Sequence, residues 1–449
     1  MPLKYDDLKT TIETGNYWID SLITREGDQW HMNYVGLFRD YISYSFVSYP
    51  TLLNISDYVN GDYEFLNPTQ SDNVKRALAY ITDLTGIEFV EVSESDADWH
   101  FFNGDYISSS KAAYARWQYS YNYSLASREF TRLDYDGVLI FDNAEFQSIT
   151  QTLAPGSYGY ELLLHELGHL LGLKHPFVGP VTLSNDLDST NNTLMSYNNV
   201  TPYKTEFSAF DKAALLFLYG LDGLGGELGF GTEINMVVGT QFSEIIRGSD
   251  EVDLFIQISP NNDELQGGED IDTAVYSGDL VDYTWVREGN QIDVFGHIAD
   301  SSDLLVDVER LQFSDISVAF DLDGNAGKVA KLLGVMLGED NWYNREYIGI
   351  GLDIFDNSNI SFEAVMDLAF GAIIGPNPTN AQVVSLIYNN LVGQAPLQGE
   401  LNSLVADLLD SGAYTQGSLG VLAAEHELNS TSINLVGLID TGVEYFAVG

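Results

Sequence analysis

The segment His165-Glu166-Leu167-Gly168-His169-Leu170-Leu171-Gly172-Leu173-Lys174-His175-Pro176 gathers three of the chain's seven histidines into one string. His165 and His169 are four residues apart, so a helix carries both imidazoles on one face, one turn from each other. That spacing lets two ring nitrogens meet one zinc ion at about 2.0–2.1 Å. Glu166 falls beside such an ion without ligating it, the place for a general base acting on water. Gly172 lets the chain leave the helix, because glycine adopts left-handed backbone cheaply. The chain then turns back and presents His175 as a third ligand. Three protein ligands leave one position open, which marks a catalytic rather than a structural zinc site.

A second segment supports the first. Thr193-Leu194-Met195-Ser196-Tyr197 follows His175 at a short distance. A methionine in a tight turn forms an apolar floor under a three-histidine site. A tyrosine two residues later reaches the metal or an oxyanion.

Composition narrows the classes. The 449 residues include 19 basic and 66 acidic side chains, a formal charge of −47. Phosphate binding needs a cationic surface, so nucleic acid is disfavoured as a partner. Anionic membranes are disfavoured for the same reason. The absence of cysteine removes disulfides, thiolate zinc sites and cysteine nucleophiles. No apolar run approaches the ~20 residues that span a bilayer. Met1 to Asp7 has no apolar h-region, so a cleaved N-terminal signal is not expected.

Texture divides the chain into three regions, 1–225, 226–325 and 326–449. In the first, strands are expected at 41–47 and 87–92, and a turn at Asp136-Gly137 leads into a strand at 138–141. Helices are expected at 72–84, 161–173 and 208–219. Residues 1–14 are a candidate short propeptide. Gly-rich 221–231 marks a boundary. Beyond it, frames of nine residues start at Gly239, Gly248, Ile258 and Gly267. Their sixth positions hold Glu244, Asp253, Asp263 and Asp272; their eighth hold Ile246, Phe255, Leu265 and Ala274. Short strands are expected at 282–288, 292–295 and 309–313. From Lys328 the text is helical, as at 328–337 and 381–391.

With these residues in view, the pattern H-E-x-x-H-x-x-G-x-x-H followed by Leu194-Met195-Ser196-Tyr197 resembles the serralysin family of metzincins, secreted bacterial metalloproteases. Tyr17-Trp18-Ile19-Asp20-Ser21-Leu22 and Phe217-Leu218-Tyr219-Gly220 resemble the opening and closing of its catalytic domain. Gln266 to Ala274 resembles a worn RTX nonapeptide. Residues 388–393 and 409–412 resemble a helical domain of other RTX-type exported proteins. The resemblance implies an α+β catalytic domain with a twisted sheet and a zinc-binding helix. A short degenerate parallel β-roll or β-sandwich and an all-α C-terminal domain follow it.

The resemblance also implies residue roles. Zinc sits on His165, His169 and His175, Glu166 is general base and acid, and Tyr197 is a zinc ligand at rest that swings to support the tetrahedral intermediate. Met195 is the Met-turn residue. The substrate is an extended polypeptide bound along a cleft edge, with Val138 to Phe141 as candidate edge. Calcium is expected on Asp250, Asp253, Asp270 and Asp272. However, Glu251, Asn261 and Asp270 replace the fourth-position glycine, and Ser249 a second-position one, so sites are few. Export through type I secretion machinery and a monomeric state follow from the same likeness. The competing reading is a calcium-dependent extracellular binding or adhesion module with a vestigial peptidase domain. The intact zinc ligands, Glu166 and Tyr197 argue against it.

Overall fold

A six-stranded sheet organises the first half of the chain in the computed structural model, which describes residues 3–93, 95–107, 111–256, 261–296 and 301–448. His297 and Ile258 lie outside the described residues. By contact the chain forms two compact units, Met1–Asp270 and Ile271–Gly449. The divisions expected at 225/226 and 325/326 fall inside these units.

Unit 1 is built on β1 (Tyr41–Ser45), β2 (Val59–Phe65), β3 (Glu88–Glu91), β4 (Trp99–Tyr106), β5 (Ala113–Tyr123) and β6 (Phe130–Asp142). The order is β3-β1-β4-β6-β5, with β2 pairing β4. β1 pairs β3 and β4 in parallel, and β4 pairs β6 in parallel. β5 runs antiparallel to β6 at the edge of the sheet. Helix Pro68–Thr85 starts at a capping box of Asn67 and Gln70 and ends on left-handed Gly86. Its Val74, Ala77, Leu78 and Ile81 are buried, the face that the sequence periodicity marks.

Two expectations need correction. Asp136-Gly137 is not a turn but lies inside β6. The Asp136 carboxylate is buried and accepts the Leu52 N–H. A Cβ on Gly137 would meet Trp99 Cδ1 at 2.9 Å and Tyr135 Oη at 3.0 Å, so the glycine serves close packing. Nor are Val138 to Phe141 a cleft edge. All four are fully buried in β6, which is paired on both sides. A continuous apolar run of this kind belongs to a central strand. The true edge, β5, reads Ala-Tyr-Ala-Arg-Trp-Gln-Tyr and alternates in burial.

Residues 3–14 pack into unit 1. Leu3, Leu8 and Ile12 are buried, and the Tyr5 ring stacks on Tyr123 of β5 with centroids 4.1 Å apart. Later in the unit, strands Asn235–Val238 and Asp253–Ile256 pair in parallel, as do Ile245–Arg247 and Glu264–Gln266. Asn235 registers with Asp253 and Ile245 with Glu264, so each strand pairs with the one two frames on. Ile246, Phe255 and Leu265, the eighth-position residues, are buried.

Unit 2 holds the antiparallel meander Tyr283–Glu288, Gln291–Gly296 and Ser301–Val306. Thr273–Val275 pairs in parallel with Arg310–Gln312, which pairs antiparallel with Ser317–Ala319. Helices follow, among them Asn325–Leu337, Arg345–Asn357, Phe362–Ile374 and Asn380–Val392. Their core includes Val329, Leu333, Met366, Phe370 and Val383. The tail expected to be all-α ends in a strand, Val443–Tyr445, paired with Ser317–Ala319. The Val-Glu-Tyr alternation suits an edge, with Val443 buried. Helix Arg345–Asn357 approaches the next residues so closely that a Cβ on Gly349 would fall 1.9 Å from the Phe446 carbonyl oxygen.

The Asp321-to-Asn325 stretch is a helix start. Asp321 accepts the Ala326 N–H at 3.0 Å and faces Arg310 at 3.2 Å; Arg310 also reaches Asp356 at 3.4 Å. Arg310 and Asp321 are both buried. Removing one member of a buried pair leaves the other charge uncompensated. Arg310→Ala should therefore cost about 3–5 kcal/mol in denaturant unfolding. A loss below about 1 kcal/mol would mean that the pair contributes nothing net.

Candidate metal centre and catalytic cleft

The histidine helix spans Tyr158–Leu170, with Ser157 as N-cap. It stops because Gly172 turns with φ +104°, and a Cβ there would meet the Trp30 carbonyl oxygen at 3.0 Å and His31 Cβ at 3.1 Å. The returning chain is fixed at once. Leu173 N–H donates to the Gly168 carbonyl at 2.9 Å and Lys174 N–H to the Leu22 carbonyl at 2.7 Å. The Lys174 ammonium donates to the carbonyls of Ser21, Val178 and Val181. These bonds return His175 to the two helix histidines.

Three Nε2 atoms converge. His169 Nε2 lies 3.1 Å from His175 Nε2, which lies 3.3 Å from His165 Nε2. Nitrogens bound to one tetrahedral zinc at about 2.0–2.1 Å stand roughly 3.3 Å apart. Two of the rings have a defined tautomer. His165 Nδ1 donates to the Leu194 carbonyl at 2.6 Å and His169 Nδ1 to the Leu173 carbonyl at 2.9 Å. Their Nε2 atoms therefore present lone pairs, and acceptors facing acceptors call for a cation. Burial pushes His165 down to about 4 and His175 to about 3, and holds His169 well below the ordinary range. Neighbouring imidazoles lower His169 and His175 further, and the charges of Lys111 and Arg25 act in the same direction. A neutral, convergent imidazole triad fits zinc.

Glu166 is buried beside this triad, and its Oε2 accepts the Ala115 N–H of β5 at 2.7 Å. Burial pushes its carboxyl up to about 7, although Ala115 and Lys111 pull it down. Met195 is fully buried under the helix; a Cβ on Gly168 would come within 2.8 Å of its Sδ. Tyr197 is 61 % exposed, with its ring 4.7 Å from that of His175 and 5.0 Å from that of Phe177. A cleft of about 790 Å³ runs past these groups, lined along one side by residues 112–117.

One residue that the sequence reading passed over is Asp211, in the first turn of helix Ala209–Tyr219. Its buried carboxylate accepts Thr193 Oγ1 at 2.6 Å, Leu194 N–H at 2.7 Å and Ser208 N–H at 3.0 Å. Burial pushes it up to about 7. It thereby pins the turn that carries Met195 and the carbonyl holding His165. The capping-box spacing Ser208-x-x-Asp211 was the available signal.

Among the described residues, the aspartates expected to bind calcium form no cluster of three ligand groups. Asp253 is buried and accepts the Ser249 N–H at 2.6 Å, closing its own loop. Asp250 and Asp270 are exposed, Asp270 with φ +64°. Asp272 is buried in unit 2. Among the described residues, the carboxylate and imidazole clusters able to hold an ion are the histidine triad and Asp105, Asp142 and Glu145. In the second, Asp142 already accepts from the N–H groups of Tyr106, Ala144 and Phe146. His31 and His100 are core residues, and His426 caps helix Glu427–Ser432.

Zinc binding at pH 7 should displace few protons from the triad, because its imidazoles are already neutral. A cation beside Glu166 lowers its pKa from about 7 and releases about half a proton. Calorimetry in buffers of different ionisation enthalpy should show a smaller release in Glu166→Gln than in the wild type. Release of two protons or more would mean that the histidines bind protons at pH 7, because Glu166 and zinc-bound water together supply about one. Asp211→Ala should weaken zinc roughly 10–100-fold in chelator competition. Unchanged affinity would reduce Asp211 to a helix cap.

Comparison with known proteins agrees with this geometry. Residues 54–199, which contain β2 to β6, the three histidines, Glu166 and Tyr197, match the peptidase M10 family model described as matrixin. The chain is 27% identical over 302 residues to serralysin of Proteus mirabilis, covering 61% of this chain and 57% of that protein. It therefore spans little more than half the length of that curated relative. Both findings accord with the histidine string and the Met195 turn: the chain resembles the serralysin-type metzincins.

Proposed function

We propose that the chain is a zinc-dependent endopeptidase that hydrolyses extended polypeptides. The observation that carries this reading is the convergence of the Nε2 atoms of His165, His169 and His175, with Glu166 buried at their side. Zinc held by the three imidazoles supplies Lewis acidity and makes water a stronger acid.

The remaining roles belong to the chain's own groups. Ala115 N–H orients Glu166, whose raised pKa suits proton uptake near neutrality. Glu166 takes the proton of the attacking water and later gives it to the leaving amine nitrogen. The Tyr197 hydroxyl donates to the carbonyl oxygen as that oxygen gains negative charge. Ala115 turns its N–H away from β6 toward the cleft, so alternation places the polar backbone groups of Ala113 and Trp117 on the same side. An extended substrate adds to this edge as a further strand.

The wider reading keeps residues 1–225 as the catalytic region, 226–325 as a degenerate β-roll and 326–449 as a helical domain. It also includes export by type I machinery and weak structural calcium. Parallel pairing between alternate nine-residue frames supports the β-roll. Calcium at Asp250, Asp253, Asp270 or Asp272 should raise the melting temperature, and a calcium chelator should reverse the rise. Melting that ignores both removes calcium from the reading.

The central test pairs metal content with turnover. Wild type and Glu166→Gln should each hold about one zinc, the ion three ligands imply. Only the wild type should cleave casein, and a zinc chelator should stop it. Cleavage by Glu166→Gln would refute the assignment of the base. Tyr197→Phe should lower kcat more than it raises KM; the reverse would mean that the ring only packs.

A further inference from the structure

In this strongly acidic chain the catalytic cleft is lined by four lysine and arginine side chains against two carboxylates. Several cations elsewhere are paired: Lys9 faces Asp28, Arg39 faces Asp98, Lys212 faces Glu206 and Lys331 faces Glu425. The cleft lining contains Arg25, Lys111, Arg116 and Lys174, and among the described residues none of them has a carboxylate within salt-bridge distance. Lys174 is withdrawn into three backbone carbonyls. The other three remain available. The Arg25 guanidinium donates to the Gly172 carbonyl and lies 5.7 Å from the centroid of Trp117, while its Nε is buried without an acceptor. Lys111 lies 4.3 Å from the Tyr114 ring centroid, and Arg116 lies 6.0 Å from that of Tyr58.

The two carboxylates of the lining do not neutralise them. Glu161 and Glu166 are buried and accept backbone N–H groups, from Lys204 and Ala115, each at 2.7 Å. Strand alternation sorts the cations. Trp117 shares the Ala115 face of β5, whereas Tyr114 and Arg116 lie on the opposite face. An extended peptide along β5 therefore meets Arg25 with side chains of one face and Lys111 and Arg116 with those of the other.

We propose that the cleft selects acidic polypeptide segments: Arg25 binds a substrate carboxylate over Trp117, and Lys111 and Arg116 receive carboxylates on the outer rim. The proposal rests on the endopeptidase reading above and names its substrate class. Bonds to a charged acceptor are the stronger ones, and an Asp-to-Asn change at the Arg25 position should cost about tenfold in kcat/KM.

The test uses the zinc-loaded full chain on a peptide library of natural proteins, with cleavage sites mapped by mass spectrometry. Asp and Glu should be enriched at alternating positions around the cut. R25Q should erase the enrichment on the Trp117 face, and K111Q with R116Q should erase it on the other. Glu166→Gln should bind a fluorescent Asp-containing peptide more tightly than its Asn counterpart. Should R25Q fail to fold, the two rim variants still decide the matter, since both side chains are exposed. Cleavage without acidic enrichment, or enrichment untouched by all three substitutions, overturns the selectivity alone. No cleavage of any peptide by the zinc-loaded wild type overturns the endopeptidase reading beneath it.

Discussion

The hydrogen bond from His165 Nδ1 to the Leu194 carbonyl, 2.6 Å long, joins two segments on which the whole site depends. It sets the ring's tautomer and turns its Nε2 lone pair toward His175. It also fixes the height of the Met195 turn against the helix. The carbonyl is itself held, because Leu194 N–H donates to Asp211, whose carboxylate also holds Thr193 and the start of the next helix. Five groups on three segments thus form one connected set. The same logic repeats at His169, whose Nδ1 donates to the Leu173 carbonyl just past the glycine turn. Backbone carbonyls, not carboxylates, orient these two imidazoles, so the rings stay neutral.

Burial explains the electrostatics of the centre in one stroke. It penalises charge of either sign, so the imidazoles fall and the Glu166 carboxyl rises. The result without metal is a pocket of lone pairs around a carboxyl poised near neutrality. Such a pocket is destabilised by its own polarity unless a cation enters it. Gly168 and Gly172 make the geometry attainable, the first by admitting Met195 beneath the helix and the second by allowing the reversal.

The site was more legible than the fold. His165, Glu166, His169 and His175 lie within one helix and its exit, where spacing alone determines geometry. Met195 and Tyr197 needed only the adjacency of a second short string. The helix expected at 72–84 was legible because its apolar period is strong; its first turn, from Pro68, was not read. What failed was strand placement. Val138 to Phe141 reads as a strand from any angle, but its place in the sheet depends on partners distant in sequence. Asp136-Gly137 carries turn chemistry, yet tertiary packing against Trp99 and Leu52 overrides it. β5 was not read as a strand, although its burial alternates, and nothing local says that it faces the histidines. Asp211 was hidden because a capping carboxylate and one that holds a turn look alike in sequence.

Net charge misleads when read as a property of every surface. At −47 the chain looks hostile to anionic ligands, and the long-range field is indeed negative. That field is screened over about 10 Å in ordinary salt, whereas a guanidinium in a half-buried cleft acts at contact, where screening is weak. Arg25, Lys111 and Arg116 stand beside the triad without carboxylate partners among the described residues, although carboxylates crowd the sequence. A negative net charge does not prevent a cleft lined by Arg25, Lys111 and Arg116 from choosing what is bound. Arg25 shows why this is more than coincidence of position. It contacts the glycine turn that delivers His175 and the strand that holds Glu166. The group that recognises substrate and the groups that react with it are therefore supported by the same few residues.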